Sequence, residues 1–170
     1  MIERATDKSS LIDLLEPILA AVAELDPASR SDAAAQAALV RSLADAFPFD
    51  GERVQAIGAT IEAGVADGWL CDRGDTDARF SRVAKPSPAT HNMSIDVVRL
   101  RGAALRHRHP KGEVTLGFAV EGSPDFGGEA PGWIFAAPGS THVPEVNGGR
   151  MNLIYFLPDG AVDWNPPAAD

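Results

Sequence analysis

Through the first third of the chain, apolar residues recur at intervals of three and four, the spacing of one helix face. Three stretches carry this pattern: 9–25 (SSLIDLLEPILAAVAEL), 31–47 (SDAAAQAALVRSLADAF) and 50–67 (DGERVQAIGATIEAGVAD). Each opens on Ser or Asp, whose side-chain oxygen accepts from an unpaired first-turn N–H, so each reads as a capped helix. Pro17 removes one main-chain donor and predicts a kink or restart within the first helix. Pro27 and Pro48 fall in the two connections. From Trp69 onward the period shortens to that of strands, with Gly, Pro, Asp and Ser between short runs. The candidate strands are 79–84, 93–100, 104–109, 113–121, 132–137, 141–146 and 150–157. The division therefore falls near residue 68: a helical region over 1–68, and a mainly β barrel or sandwich over 69–170. The tail Asn165 to Asp170 reads as frayed.

One strand makes a further statement through its two faces. Alternation over 113–121 puts Glu113, Thr115, Gly117 and Ala119 on one side and Val114, Leu116, Phe118 and Val120 on the other. The first face is small and predicts open space. The second is too apolar to leave in water, so the helices, a partner sheet or a second subunit must cover it. A homodimer is the expected assembly.

Composition narrows the class. A chain of 170 residues can build one core of ordinary size, with or without a small appended region. Its net charge of −9 argues against nucleic acid or an anionic membrane as partner. Residues 1–68 hold five Lys and Arg against twelve Asp and Glu, so the helices lack the cationic face that reading DNA requires. The single Cys71 permits no internal disulfide, no apolar run reaches membrane-spanning length, and Met-Ile-Glu-Arg does not open a secretion signal. A cytoplasmic location is expected.

The candidate chemistry lies in Arg106 to Glu113, R-H-R-H-P-K-G-E. His107 and His109 stand two apart, so a strand sends both imidazoles to one face and Arg106 and Arg108 to the other. Pro110-Lys111-Gly112 is turn chemistry, and Glu113 just past it can return beside the histidines. The run from Gly132 to His142 repeats the format: strand, Pro138-Gly139 turn, then a histidine opening the next strand. His107, His109, Glu113 and His142 thus form a donor set for one divalent ion, Fe, Mn, Zn, Ni or Co. No Gly-rich phosphate loop is present, so no nucleotide cofactor is expected. His91 lies in a loop and is a weaker ligand candidate. Trp69, Trp133 and Trp164 read as packing residues, and Asp72 and Asp75 as turn residues.

The two histidine segments resemble the motif pair of the cupin superfamily, G-x5-H-x-H-x3/4-E-x6-G and G-x5-P-x-G-x2-H-x3-N. Gly102 precedes His107 by four residues where the pattern has five, the closing glycine is displaced to Gly122, Pro138 and Gly139 are adjacent, and Asn147 falls one residue late. Every ligand type is retained. The resemblance implies an antiparallel β-barrel of the jelly-roll type behind the helical region. Such a site serves Fe(II) dioxygenases, isomerases and lyases alike, and some barrels of this kind only bind small molecules.

Further segments are more specific. G-W-L-C-D-R-G (68–74), F-S-R-V-A-K-P (80–86), H-R-H-P-K-G-E (107–113), P-G-S-T-H-V-P (138–144) and G-G-R-M-N-L-I-Y-F-L-P-D-G (148–160) together resemble the 4-hydroxylaminobenzoate lyase family. The resemblance implies conversion of 4-hydroxylaminobenzoate and water to 3,4-dihydroxybenzoate and ammonia, a step of nitroaromatic breakdown. It also implies a small aromatic acid as substrate. Arg82 and Lys85 are then candidates for the aryl carboxylate, with Tyr155 and Glu113 for proton transfer.

Overall fold

A computed structural model describes residues 1–168. The expected tail therefore falls partly outside the described residues, at Ala169 and Asp170. Three helices come first: α1 (Lys8–Leu25), α2 (Ala33–Ala46) and α3 (Glu52–Asp67). Asp7 caps α1 by accepting from Ser10 N–H at 2.8 Å, while Ser10 Oγ accepts from Asp7 N–H at 3.1 Å. Asp32 caps α2 through Ala35 N–H at 2.8 Å. No side chain caps α3, which starts after Gly51. The restart expected at Pro17 does not occur, and α1 runs through it as one helix. Leu11, Leu14, Leu15, Ile18, Leu19 and Val22 are buried on both sides of the proline, and that shared face outweighs one missing hydrogen bond.

The strands are β1 (Arg73–Gly74), β2 (Ala78–Ala84), β3 (Met93–Ala103), β4 (His107–His109), β5 (Glu113–Phe126), β6 (Gly132–Ala136), β7 (Ser140–His142) and β8 (Glu145–Pro158). One antiparallel sheet runs β1-β2-β3-β8-β5-β6, and β4 pairs with β7 in a second. This is the mainly antiparallel, jelly-roll arrangement expected behind three helices. Several strand limits differ from the sequence reading. The run 141–146 is two strands in different sheets, and 104–109 shortens to β4. Conversely β3, β5 and β8 extend beyond their expected ends, because glycines read as stops lie at bulges. Register shifts occur between Leu100 and Gly102, and in β5 between Ala119 and Glu121 and between Gly122 and Asp125.

The outer face of the large sheet is covered by the helices. Leu11, Leu15 and Ile18 of α1, Leu39 and Leu43 of α2, and Ile57 and Ile61 of α3 share one buried cluster with Ile95, Val97, Val114, Leu116, Ile154 and Phe156. Burial of each such side chain stabilises by about 1.5–3 kcal/mol. At Gly58 the helix comes so close that an added Cβ would lie 2.9 Å from the Phe118 ring. Trp133 Nε1 donates to Phe47 O at 2.9 Å, tying β6 to the end of α2. The same face holds a further polar tie, in which Glu62 of α3 accepts from Arg99 at 2.5 Å and from Asn152 at 3.0 Å. No helix among the described residues is long and apolar enough to cross a membrane.

The inner face carries a second cluster of Leu100, Phe126, Val146, Met151, Leu153 and Tyr155. The open space expected along β5 is absent at Gly117. A Cβ there would meet Met151 Cε at 2.7 Å and Leu153 Cδ2 at 3.2 Å, so long side chains of β8 fill the gap the glycine leaves.

Candidate metal centre

The small sheet presents its histidines by register. His107 pairs with His142 and His109 with Ser140, so the three imidazoles share one face of the β4–β7 pair. Along β4 the alternation is complete: His107 and His109 are buried, and Arg108 between them is exposed. Arg106 and Arg108 point away, as expected, holding the carbonyls of Pro167 and Gly139. The turn after His109 closes through Gly112 N–H to His109 O at 3.3 Å, with φ of 79° at Gly112. A side chain there would enter the space of Ala136 O and the Phe135 ring, each 3.1 Å from its Cβ. Gly139 N–H also donates to His109 O, at 2.7 Å, so both motif turns anchor on one residue.

The candidate donor atoms converge. His109 Nε2 lies 3.0 Å from His107 Nε2 and 2.9 Å from His142 Nε2, and Glu113 Oε1 is 3.6 Å from His109 Nε2. His107 Nδ1 donates to Leu105 O at 2.8 Å, which places its proton there and leaves Nε2 as a lone pair. His109 Nε2 can either donate once or accept once, so among neutral rings one of its two close contacts has no hydrogen bond. His109 Nδ1 is buried with no hydrogen-bond partner. Two imidazole nitrogens each about 2.1 Å from one ion, at a right angle, stand about 3.0 Å apart. The spacing, tautomer and neutral donors all fit a divalent metal.

Electrostatics supports the same reading. Burial, then the neighbouring imidazoles of His107 and His142, pulls His109 down to about 3. Burial and His107 hold His142 at about 4, and burial lowers His107 as well. All three rings are therefore neutral near physiological pH, the form that binds metal. Burial pushes Glu113 well above the usual carboxylate range, opposed by the Thr115 hydroxyl and reinforced by Asp96. With His109 neutral, its contact with Glu113 is no salt bridge. Burying a carboxylate there is unfavourable until a cation joins it.

The other candidates separate. A row of cross-strand partners runs Arg82, Asp96, Tyr155, Thr115 over the inner face, from β2 to β5. Tyr155 is 9% exposed, a core aromatic whose hydroxyl is pushed well above its ordinary range by burial, then Glu113 and Asp96. Arg82 donates to Asp96 Oδ1 at 2.9 Å and is partly exposed. Three strand spacings, about 14 Å, separate its backbone from that of Thr115. Lys85 is exposed just past the end of β2. His91 is removed from the cluster and lies 3.1 Å from Glu16 of α1. Asp75 is a turn residue as expected, accepting from Asp77 and Ala78 N–H. Trp133 is packed, but Trp164 is not: it is 58% exposed with its ring centroid 4.9 Å from that of His107. Asp96 escaped the sequence reading. Its signal was the alternation of S-I-D-V-V, which puts it opposite buried Ile95 and Val97.

Comparison with known proteins gives a consistent picture. A family model described as 4-hydroxylaminobenzoate lyase matches residues 25–164. A 4-hydroxylaminobenzoate lyase of Pseudomonas putida is 31% identical over 153 residues, covering 79% of this chain and 86% of its own. One of Nocardioides sp. (strain LMS-CY) is 28% identical over 142 residues, covering 76% and 84%. Among solved structures, the chain is similar to an RmlC-like cupin protein of Ralstonia eutropha JMP134 at TM-score 0.38 and 15% identity, over 49% of this chain and 57% of that one. It is also similar to a cupin-like protein of Thermotoga maritima MSB8 at TM-score 0.35 and 13% identity, over 59% and 89%.

Proposed function

The chain belongs to the 4-hydroxylaminobenzoate lyase family, and from that premise we propose that it converts 4-hydroxylaminobenzoate and water to 3,4-dihydroxybenzoate and ammonia at a metal held by His107, His109, Glu113 and His142. The observation that carries the reading is the meeting of three neutral imidazole Nε2 atoms beside a buried carboxylate. Bound there, a divalent ion supplies Lewis acidity toward the hydroxylamino oxygen or an attacking water. Iron, manganese, zinc, nickel and cobalt all suit the donor set.

The chain's own residues divide the remaining work. Glu113 completes the donor set, and its second oxygen can take the proton of the attacking water. Tyr155, across the strand pair from Thr115, donates to the departing N–OH oxygen. Arg82 turns its guanidinium to the aryl carboxylate from the far end of the cross-strand row, with Asp96 holding its Nε. Lys85 adds positive charge at the same end. The apolar inner cluster of Leu100, Phe126 and Leu153 keeps bulk water from the ring. Water adds beside the nitrogen as the N–O bond breaks, and hydrolysis of the resulting imine releases ammonia. Substrate plus one water equals the two products in atoms and electrons, so no nicotinamide or flavin is required. The protein is proposed to act as a cytoplasmic homodimer.

The test is anaerobic incubation of metal-loaded protein with 4-hydroxylaminobenzoate. Ammonia and 3,4-dihydroxybenzoate are expected in equal amounts. A strict demand for oxygen, or failure to bind any divalent ion near one equivalent, overturns the proposal.

A further inference from the structure

The segment after β8 adds an edge to the small sheet. Arg108 N–H donates to Asp163 O and Asp163 N–H to Arg108 O, each at 2.9 Å, an antiparallel bridge on the side of β4 away from β7. Asp163 N–H and C=O are thereby used, and Asp163 Oδ1 accepts from Asn165 N–H at 2.9 Å. Arg106 then holds the carbonyls of Pro166 at 3.4 Å and Pro167 at 2.8 Å. The two arginines that face away from the histidines thus fasten this segment.

Register decides where Trp164 goes. Arg108 and Asp163 are opposite each other and share the outer face, so the next residue along, Trp164, falls opposite His107 on the inner face. The inner face of the small sheet reads Trp164, His107, His142 across its strands. The indole leans on the His107 ring, centroid to centroid 4.9 Å and tilted by 54°, yet more than half of it is open to solvent. A large aromatic side chain kept exposed on a fixed backbone beside a ligand histidine is poorly explained as packing.

We propose that Trp164 is the ring-binding wall of the site: the arene of the substrate lies against the free surface of the indole, with its nitrogen end toward the histidines. The inference rests on the aryl-acid reading above, and it makes Trp164 a positioning residue that sets preference for a flat ring. An aromatic contact of this kind is worth about tenfold in affinity, or about 1.4 kcal/mol.

The experiment uses the full metal-loaded chain and 4-aminobenzoate, which has the ring, carboxylate and para nitrogen but no N–O bond to break. Binding is measured by calorimetry, with the saturated 4-aminocyclohexanecarboxylate as control. The wild type is expected to prefer the flat ring. Trp164→Ala should weaken 4-aminobenzoate about tenfold and erase that preference, while Trp164→Phe restores most of both. With 4-hydroxylaminobenzoate, Trp164→Ala should raise KM and leave kcat within about twofold. Metal content and molecular mass should not change. Unaltered 4-aminobenzoate affinity in Trp164→Ala overturns the inference and leaves the lyase reading standing. Loss of metal instead of ligand affinity, or a changed oligomeric mass, also overturns it, since Trp164 would then support His107 or an interface. A wild type that binds neither acid and releases no ammonia removes the aryl-acid reading, and the role of Trp164 with it.

Discussion

The proton on His107 Nδ1 is placed by a main-chain carbonyl two residues earlier, and that one bond aims the Nε2 lone pair at His109. The central position of His109 makes it the most sensitive of the set. Its Nε2 touches both partners and Glu113, and its own carbonyl anchors both motif turns. His109→Ala should therefore lower bound metal well below one equivalent and cut ammonia release by more than about 100-fold. The variant should remain folded by circular dichroism, because the turns are held by main-chain atoms. Full metal content in such a variant would remove His109 from the donor set. The gathering of His107, His109 and His142 was legible in the sequence because strand alternation and a Pro-Gly turn are local rules. Trp164 was not, since its place depends on a bridge between residues 55 positions apart in sequence. Asp96 was half legible: its face follows from alternation, but its neighbours Arg82 and Tyr155 come from other strands.

Individual strands here serve two faces with different duties. On β5, Val114 and Leu116 lie under the helices while Glu113 and Thr115 face the histidine side. Leu116 is fully buried against that helix-covered face, so Leu116→Ala should cost about 2–5 kcal/mol in urea denaturation. Metal content and KM should be unchanged, because the removed atoms lie on the opposite face from Glu113. A rise in KM without loss of stability would contradict this division. The apolar face of β5 was readable as a pattern. The small residues of β5 misled the reading at Gly117, where Met151 and Leu153 of β8 occupy the room. Glycines near 102 and 122 resembled strand ends because the same conformational freedom serves a turn and a bulge. Only hydrogen bonding across strands separates those two uses.

In the whole molecule, the proposed metal joins the two sheets: His107, His109 and His142 come from the small one and Glu113 from the large one. Metal loading should raise the thermal midpoint, by an amount equivalent to about 2.7 kcal/mol when free metal is 100 times its dissociation constant, and a chelator should reverse it. Absence of any shift on a protein that takes up one equivalent would place the ion outside this junction. The helices share a core cluster with the large sheet, so helical and tryptophan signals should change in one transition. By itself, the sequence determined the helix and strand periods, the capping at Asp32, the pairing of His107 with His109 on one face, and the acidic charge of the helical region. These follow from short-range rules of dihedral preference, alternation and charge. The tertiary structure alone decided that α1 passes through Pro17 unbroken, that the helices cover the apolar face of β5, that 141–146 divides between two sheets, and that Trp164 stands beside His107. Each of those depends on which distant surfaces meet, and burial and hydrogen bonding over the whole chain outweigh the local preference.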